Sequence, residues 1–99
     1  MHFIKIHRSY RNVIAICDSD IIGKRFEEGK RQLDVRENFF NGEETTSEEI
    51  LKRIKRQMVE DSTFNIVGQE SVKLAVQAGL ISKEHIAKIQ GTPFALTLI

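Results

Sequence analysis

Disulfide bonding is closed to this chain, because Cys17 is the one cysteine among its 99 residues and has no partner for an internal bridge. A chain of this length forms one domain and buries roughly 60–65% of its extended surface, enough for a core without staples or metals. The thiol follows Val13-Ile14-Ala15-Ile16 and reads as a small buried hydrophobe. The expected setting is a reducing cytoplasm. Long hydrophobic runs are also missing: the apolar stretches fall far short of the roughly 20 residues that span a bilayer. The first residues lack the basic-then-apolar layout of a signal peptide. No membrane partner is expected. Charge of one sign is not in excess either, with 15 Lys and Arg against 14 Asp and Glu, so any electrostatic partner must be met by a local patch.

Signatures of known chemistry are equally thin. Gly23-Lys24 opens like a phosphate loop, but Arg25 stands where Ser or Thr should follow, and Asp18 stands where the first Gly belongs. No Ser sits in a Gly-x-Ser-x-Gly elbow, and no Gly-x-Gly-x-x-Gly follows a strand. His2 and His7 have opposite parity on their strand and His85 stands alone, so the histidines build no zinc site and read as surface or edge residues. Asp18 beside Cys17 raises a thiol pKa and disfavours a nucleophilic role. A non-enzymatic protein without cofactor or metal is the expectation.

What is present is a sequence of changing hydrophobic periods punctuated by glycines at 23, 29, 42, 68, 79 and 91. Residues 2–7 alternate, residues 8–12 form a polar turn, and residues 12–17 are apolar on both faces, which predicts a hairpin with a central second strand. Asp18 or Ser19 caps a single helical turn through Ile22, and residues 32–35 form a third strand. Asn41-Gly42 predicts a tight turn, since both residues accept positive φ. Thr46 and Glu49 have capping-box spacing, and Ile50, Leu51, Ile54 and Met58 make an apolar stripe, so a helix runs over 47–59. Residues 64–67 form a strand. A second helix carries Val72, Ala75 and Val76 and closes at Gly79, and Ser82 starts a third, short helix bearing Ile86 and Ile89. Residues 93–99 end the chain as a strand that tolerates Pro93 at its start. The fold class is α+β, a mostly antiparallel sheet with two or three helices packed on one face.

Two surfaces stand out. Lys52, Arg53, Lys55 and Arg56 form a compact positive face suited to phosphates, set against the ordinary reading of a solvated helix balanced by Glu48, Glu49 and Glu60. Phe39 and Phe40 offer a stacking platform for bases, but core packing of one or both is the better reading. Residues 75–89 loosely resemble a helix-turn-helix, but with only Lys83 and Lys88 on the second helix DNA is disfavoured as a partner. The second surface is the run from Asp18 to Gly29, whose acids, glycines, Lys24 and Phe26 follow no helix or strand period. Asp18, Asp20, Glu27 and Glu28 have oxygen ligands for Mg²⁺, yet caps and solvated charges are the better reading.

Several matched segments then carry a resemblance: Ala15-x-Cys17-Asp18, Gly23-Lys24-x-Phe26-Glu27-Glu28-Gly29, Phe39-x-x-Gly42-Glu43, Asn65-Ile66-Val67-Gly68, Gly79-x-Ile81 and Gly91-x-Pro93. In this order, over nearly the whole chain, they resemble the small archaeal proteins called domain of unknown function 424. The resemblance implies a cytoplasmic archaeal protein of α+β build and carries no activity, substrate or cofactor. Phe94 departs from the His expected in many relatives. The resemblance also suggests a surface uniting Asp18, Lys24, Phe26, Glu27 and Glu28 with Asn65 and Gly68. Three functions follow as expectations. The first is binding of RNA or a ribonucleoprotein, such as one of translation, through Lys52, Arg53, Lys55 and Arg56. The second is a protein partner docking on residues 18–29, and the third, ranked last, is a small-molecule enzyme using Asp18, Lys24 and Glu27.

Overall fold

The computed structural model describes residues 1–98, and Ile99 of the expected terminal strand lies outside them. The chain runs β1 (His2–His7), β2 (Asn12–Asp18), β3 (Arg25–Glu28), β4 (Arg31–Asp34), α1 (Glu37–Phe40), β5 (Glu43–Thr45), α2 (Ser47–Gln57), β6 (Ser62–Val67), α3 (Gln69–Gln77), β7 (Ala87–Ile89) and β8 (Thr92–Leu98). Six strands form one sheet in the order β5-β1-β2-β6-β8-β7, and β3 pairs with β4 in a separate hairpin. All pairings are antiparallel except β2 with β6, whose register sets Ala15 beside Asn65 and Cys17 beside Val67. The class is α+β.

The double-sided hydrophobicity of β2 has a direct cause. Ile14 and Ile16 point into a cluster with Ile50 and Ile54 of α2, Phe64 and Ile66 of β6, and Val72 and Ala75 of α3. Ala15 and Cys17 point the other way, into a cluster with Val35, Phe40 and Val67, against which Phe26 and Leu33 of the hairpin pack. The sheet is covered by α2 and α3 on one face and by the hairpin with α1 on the other. Burying each Ile of the first cluster contributes roughly 1.5–3 kcal/mol.

Helix α2 begins where the capping spacing places it, with Thr46 Oγ1 accepting from the Glu49 N–H at 3.2 Å, and ends at Gln57. Elsewhere local expectations give way. Asn41 has φ −78° and Gly42 is not in the left-handed region, so the turn is not the expected one. Gly42 is required by proximity instead, because a Cβ there would meet the Ile4 carbonyl oxygen and stand 2.9 Å from Lys5 Cα. The third helix reduces to a 3₁₀ turn at Lys83–His85, and Ile89 belongs to β7. Residues 75–89 form no helix-turn-helix. The expectation of surface or edge histidines fails for His2, which is 1% exposed on a strand flanked by β5 and β2.

Candidate functional site

Asp18 ends β2 with its side chain turned toward the start of α3. Its Oδ2 accepts from the Glu70 N–H at 3.1 Å, and its Oδ1 accepts from the Ser71 N–H at 2.8 Å and the Ser71 hydroxyl at 2.7 Å. A carboxylate here satisfies two of the helix's orphan donors and faces the positive end of its dipole. Gly68 makes this approach feasible: its φ is +113°, and a Cβ would lie 2.5 Å from Asp18 Cγ. The structure therefore unites Asp18 with Gly68, as the matched segments suggested.

His2 extends the network. Its Nδ1 lies 2.8 Å from Ser71 Oγ and 3.5 Å from Asp18 Oδ1, and its Nε2 lies 2.7 Å from Ser47 Oγ on α2. Burial pushes the His2 pKa below its usual 6.5, outweighing the nearby Asp18 that raises it. This cluster escaped sequence reasoning because the four residues are scattered along the chain.

The rest of the 18–29 run serves other contacts. Phe26 packs into the hairpin-side cluster. Glu28 Oε1 accepts from the Gln90 N–H, Gln90 Oε1 accepts from the Glu27 N–H, both at 2.9 Å, and Glu27 pairs with Arg25. Lys24 is exposed. Asn65 lines a different cavity of about 340 Å³ with Leu33, Phe39 and Phe94. Phe39 stacks on His7 at 4.6 Å between ring centroids while Phe40 is buried, so the pair is not a free platform. Cys17 is fully buried, and burial, with Asp18 adding to it, pushes its thiol up to about 12. Among the described residues no three His, Cys, Asp or Glu are grouped to hold a metal.

The basic face of α2 is partly spent. Arg53 Nη2 donates to both carboxylate oxygens of Glu43 on β5, at 2.8 and 2.9 Å. Lys52, Lys55 and Arg56 remain exposed. A second group of cations, invisible as a cluster in the sequence, lies between α3 and β7. Lys73, Lys83 and Lys88 line a cavity of about 450 Å³ together with Gln69, over an apolar floor that includes Val72, Val76 and Ile86. No carboxylate is among its lining residues.

A family of proteins of unknown function, DUF424, matches residues 7–98. The chain belongs to this family. The match spans the hairpin, both long helices and the terminal strand, but begins after His2. A crystal structure of an uncharacterised conserved protein from Methanopyrus kandleri is similar, with a TM-score of 0.89 and 24% identity, over 99% of this chain and 90% of that one. At that identity the likeness establishes the fold alone. No curated protein matches. No helix among the described residues is long and apolar enough to cross a membrane.

Proposed function

We propose that this DUF424 protein binds single-stranded RNA, free or within a ribonucleoprotein, and does so in the cytoplasm. The observation that carries the reading is the cavity between α3 and β7, where Lys73, Lys83 and Lys88 converge without an opposing acid above an apolar floor. Ammonium groups suit phosphates, and an apolar floor suits the face of an unstacked base. Gln69 adds an amide able to donate and accept. Lys52, Lys55 and Arg56 on α2 offer phosphates further contacts on the same helical side of the sheet. Among them Arg53 has the smallest part, being held by Glu43. The competing reading, a protein partner on residues 18–29, finds Asp18, Glu27 and Glu28 already engaged in intramolecular contacts.

The test is binding of a short labelled RNA at low and high salt. Each phosphate contact to a single strand contributes about −0.7 to the slope of log affinity against log salt, so three lysines contribute about −2. The slope is expected to flatten by about that amount in the K73A/K83A/K88A protein. An unchanged slope and affinity would remove the cavity from the account.

A further inference from the structure

We propose that Ser47 is a nucleophile served by His2 as general base, with Ser71 and Asp18 as positioning residues, and that their cavity takes acyl esters whose acyl part carries an ammonium group. Counting protons fixes the direction of the network. Ser71 has one hydroxyl proton, and the Asp18 carboxylate, 2.7 Å away, can only accept it. Ser71 Oγ is then the acceptor toward His2, so Nδ1 carries the ring proton. Nε2 is left with its lone pair facing Ser47 Oγ at 2.7 Å, and the Ser47 hydroxyl must donate to it. A serine hydroxyl donating to a neutral imidazole held by a carboxylate is the arrangement that activates serine, here with a second serine inserted before the acid.

Exposure follows the roles. Ser47 is an exposed residue and His2 is 1% exposed, so the nucleophile stands at the surface while the base is shielded. Both line a cavity of about 320 Å³. Ser19 lines it too, and its hydroxyl is buried with no hydrogen-bond partner among the described residues. Asp20 and Glu70 are its exposed carboxylates, Met1 lines it with the N-terminal amine close to His2, and no Lys or Arg lines it, so carboxylates outnumber the cation and favour a cationic substrate. Ser47 opens α2, an 11-residue helix whose Glu49 N–H is taken by Thr46; first-turn N–H groups have no intrahelical partner, and those of Ser47 and Glu48 are the ones assigned to the oxyanion.

The reaction balances as ester hydrolysis. Ser47 Oγ bonds to the acyl carbon as its proton moves to Nε2, the C–O bond to the alcohol breaks, and the alcohol leaves with that proton. Water then attacks the acyl-serine through the same base, releasing the acid and restoring Ser47.

Diisopropyl fluorophosphate tests the nucleophile directly, since the Ser47 O–P bond forms as P–F breaks and fluoride leaves. Mass spectrometry is expected to find one adduct, on Ser47, absent from S47A and formed about a hundredfold more slowly in H2Q. S71A keeps His2 and serves if H2Q does not fold; a slowing of about tenfold is expected there. The wild-type rate should rise with pH to a plateau, with a midpoint below 6.5. The groups facing His2 are Asp18 from β2, Glu70 and the neutral Ser71 hydroxyl from α3, the N-terminal amine and the neutral Ser47 hydroxyl of α2. No adduct at Ser47, or equal rates in folded H2Q or S71A, overturns the proposal. Glycine 4-nitrophenyl ester should be cleaved faster than the acetate ester, with the preference reduced by E70Q, and equal rates would overturn the substrate class. RNA takes no part in these assays, so their failure and that of the RNA reading are separable.

Discussion

Two groups of cations lie on the helical side of the sheet and differ in everything but charge. On α2 the side chains of Lys52, Lys55 and Arg56 stand on a convex, solvated helix face, and the fourth cation, Arg53, is consumed by Glu43. Between α3 and β7, Lys73, Lys83 and Lys88 surround a concave, partly apolar space that no carboxylate lines. A convex row attracts any polyanion, whereas a concave one can also hold a base and so fix the register of a strand. Sequence reading favoured the first group because its members are adjacent, and adjacency along a chain is a poor guide to concavity.

The comparison breaks most easily by charge reversal. K73E/K83E/K88E should lower RNA affinity about a hundredfold or more at low salt, measured by fluorescence anisotropy, while K52E/K55E/R56E should lower it only several-fold. Equal losses would make the two surfaces one nonspecific field. The next largest effect concerns how α3, which carries Lys73, is anchored. Gly68→Ala forces a side chain into positive φ and against Asp18, which should cost about 2–3 kcal/mol in denaturant unfolding. Gly79→Ala, also at positive φ but in open space, should cost only about 1–2 kcal/mol.

A smaller effect is the pH dependence of folding. The His2 pKa is lowered on folding, so the unfolded chain binds more protons below about pH 6.5. Stability from this group is fully present above that pH and falls as the pH drops toward the folded-state value. H2Q should flatten the curve of unfolding free energy against pH in that window. The smallest effect is expected for Arg53→Ala, about 0.2–1 kcal/mol of stability through loss of the half-exposed pair with Glu43, with RNA affinity nearly unchanged. A large loss of affinity in Arg53→Ala would return the binding site to α2.

Much of the fold was legible because its strongest signals are local. The alternation of β1, the two-sided apolar run of β2, the Thr46 cap of α2 and the Gly79 end of α3 are written in adjacent residues, and the structure places them accordingly. The segment from Ser82 to Ile89 misled because Ile86 and Ile89 fit a helical period, while pairing with β8 drew residues 87–89 into a strand. The hairpin of β3 and β4 was half seen: Leu33 carried a strand signal, but Phe26 sits among charges and turns inward only because the sheet's second face needs covering. The site was less legible still. Asp18 and Gly68 could be paired from matched segments, yet nothing local shows that His2 is buried between Ser47 and Ser71, or that three scattered lysines share a cavity.

The most direct test of the RNA account is a map of backbone amide chemical shifts on titration with short single-stranded RNA. The account predicts the largest changes at Gln69, Lys73, Lys83 and Lys88, with weaker ones along residues 52–56. Shifts confined to α2, or none at RNA concentrations that saturate binding, would contradict it.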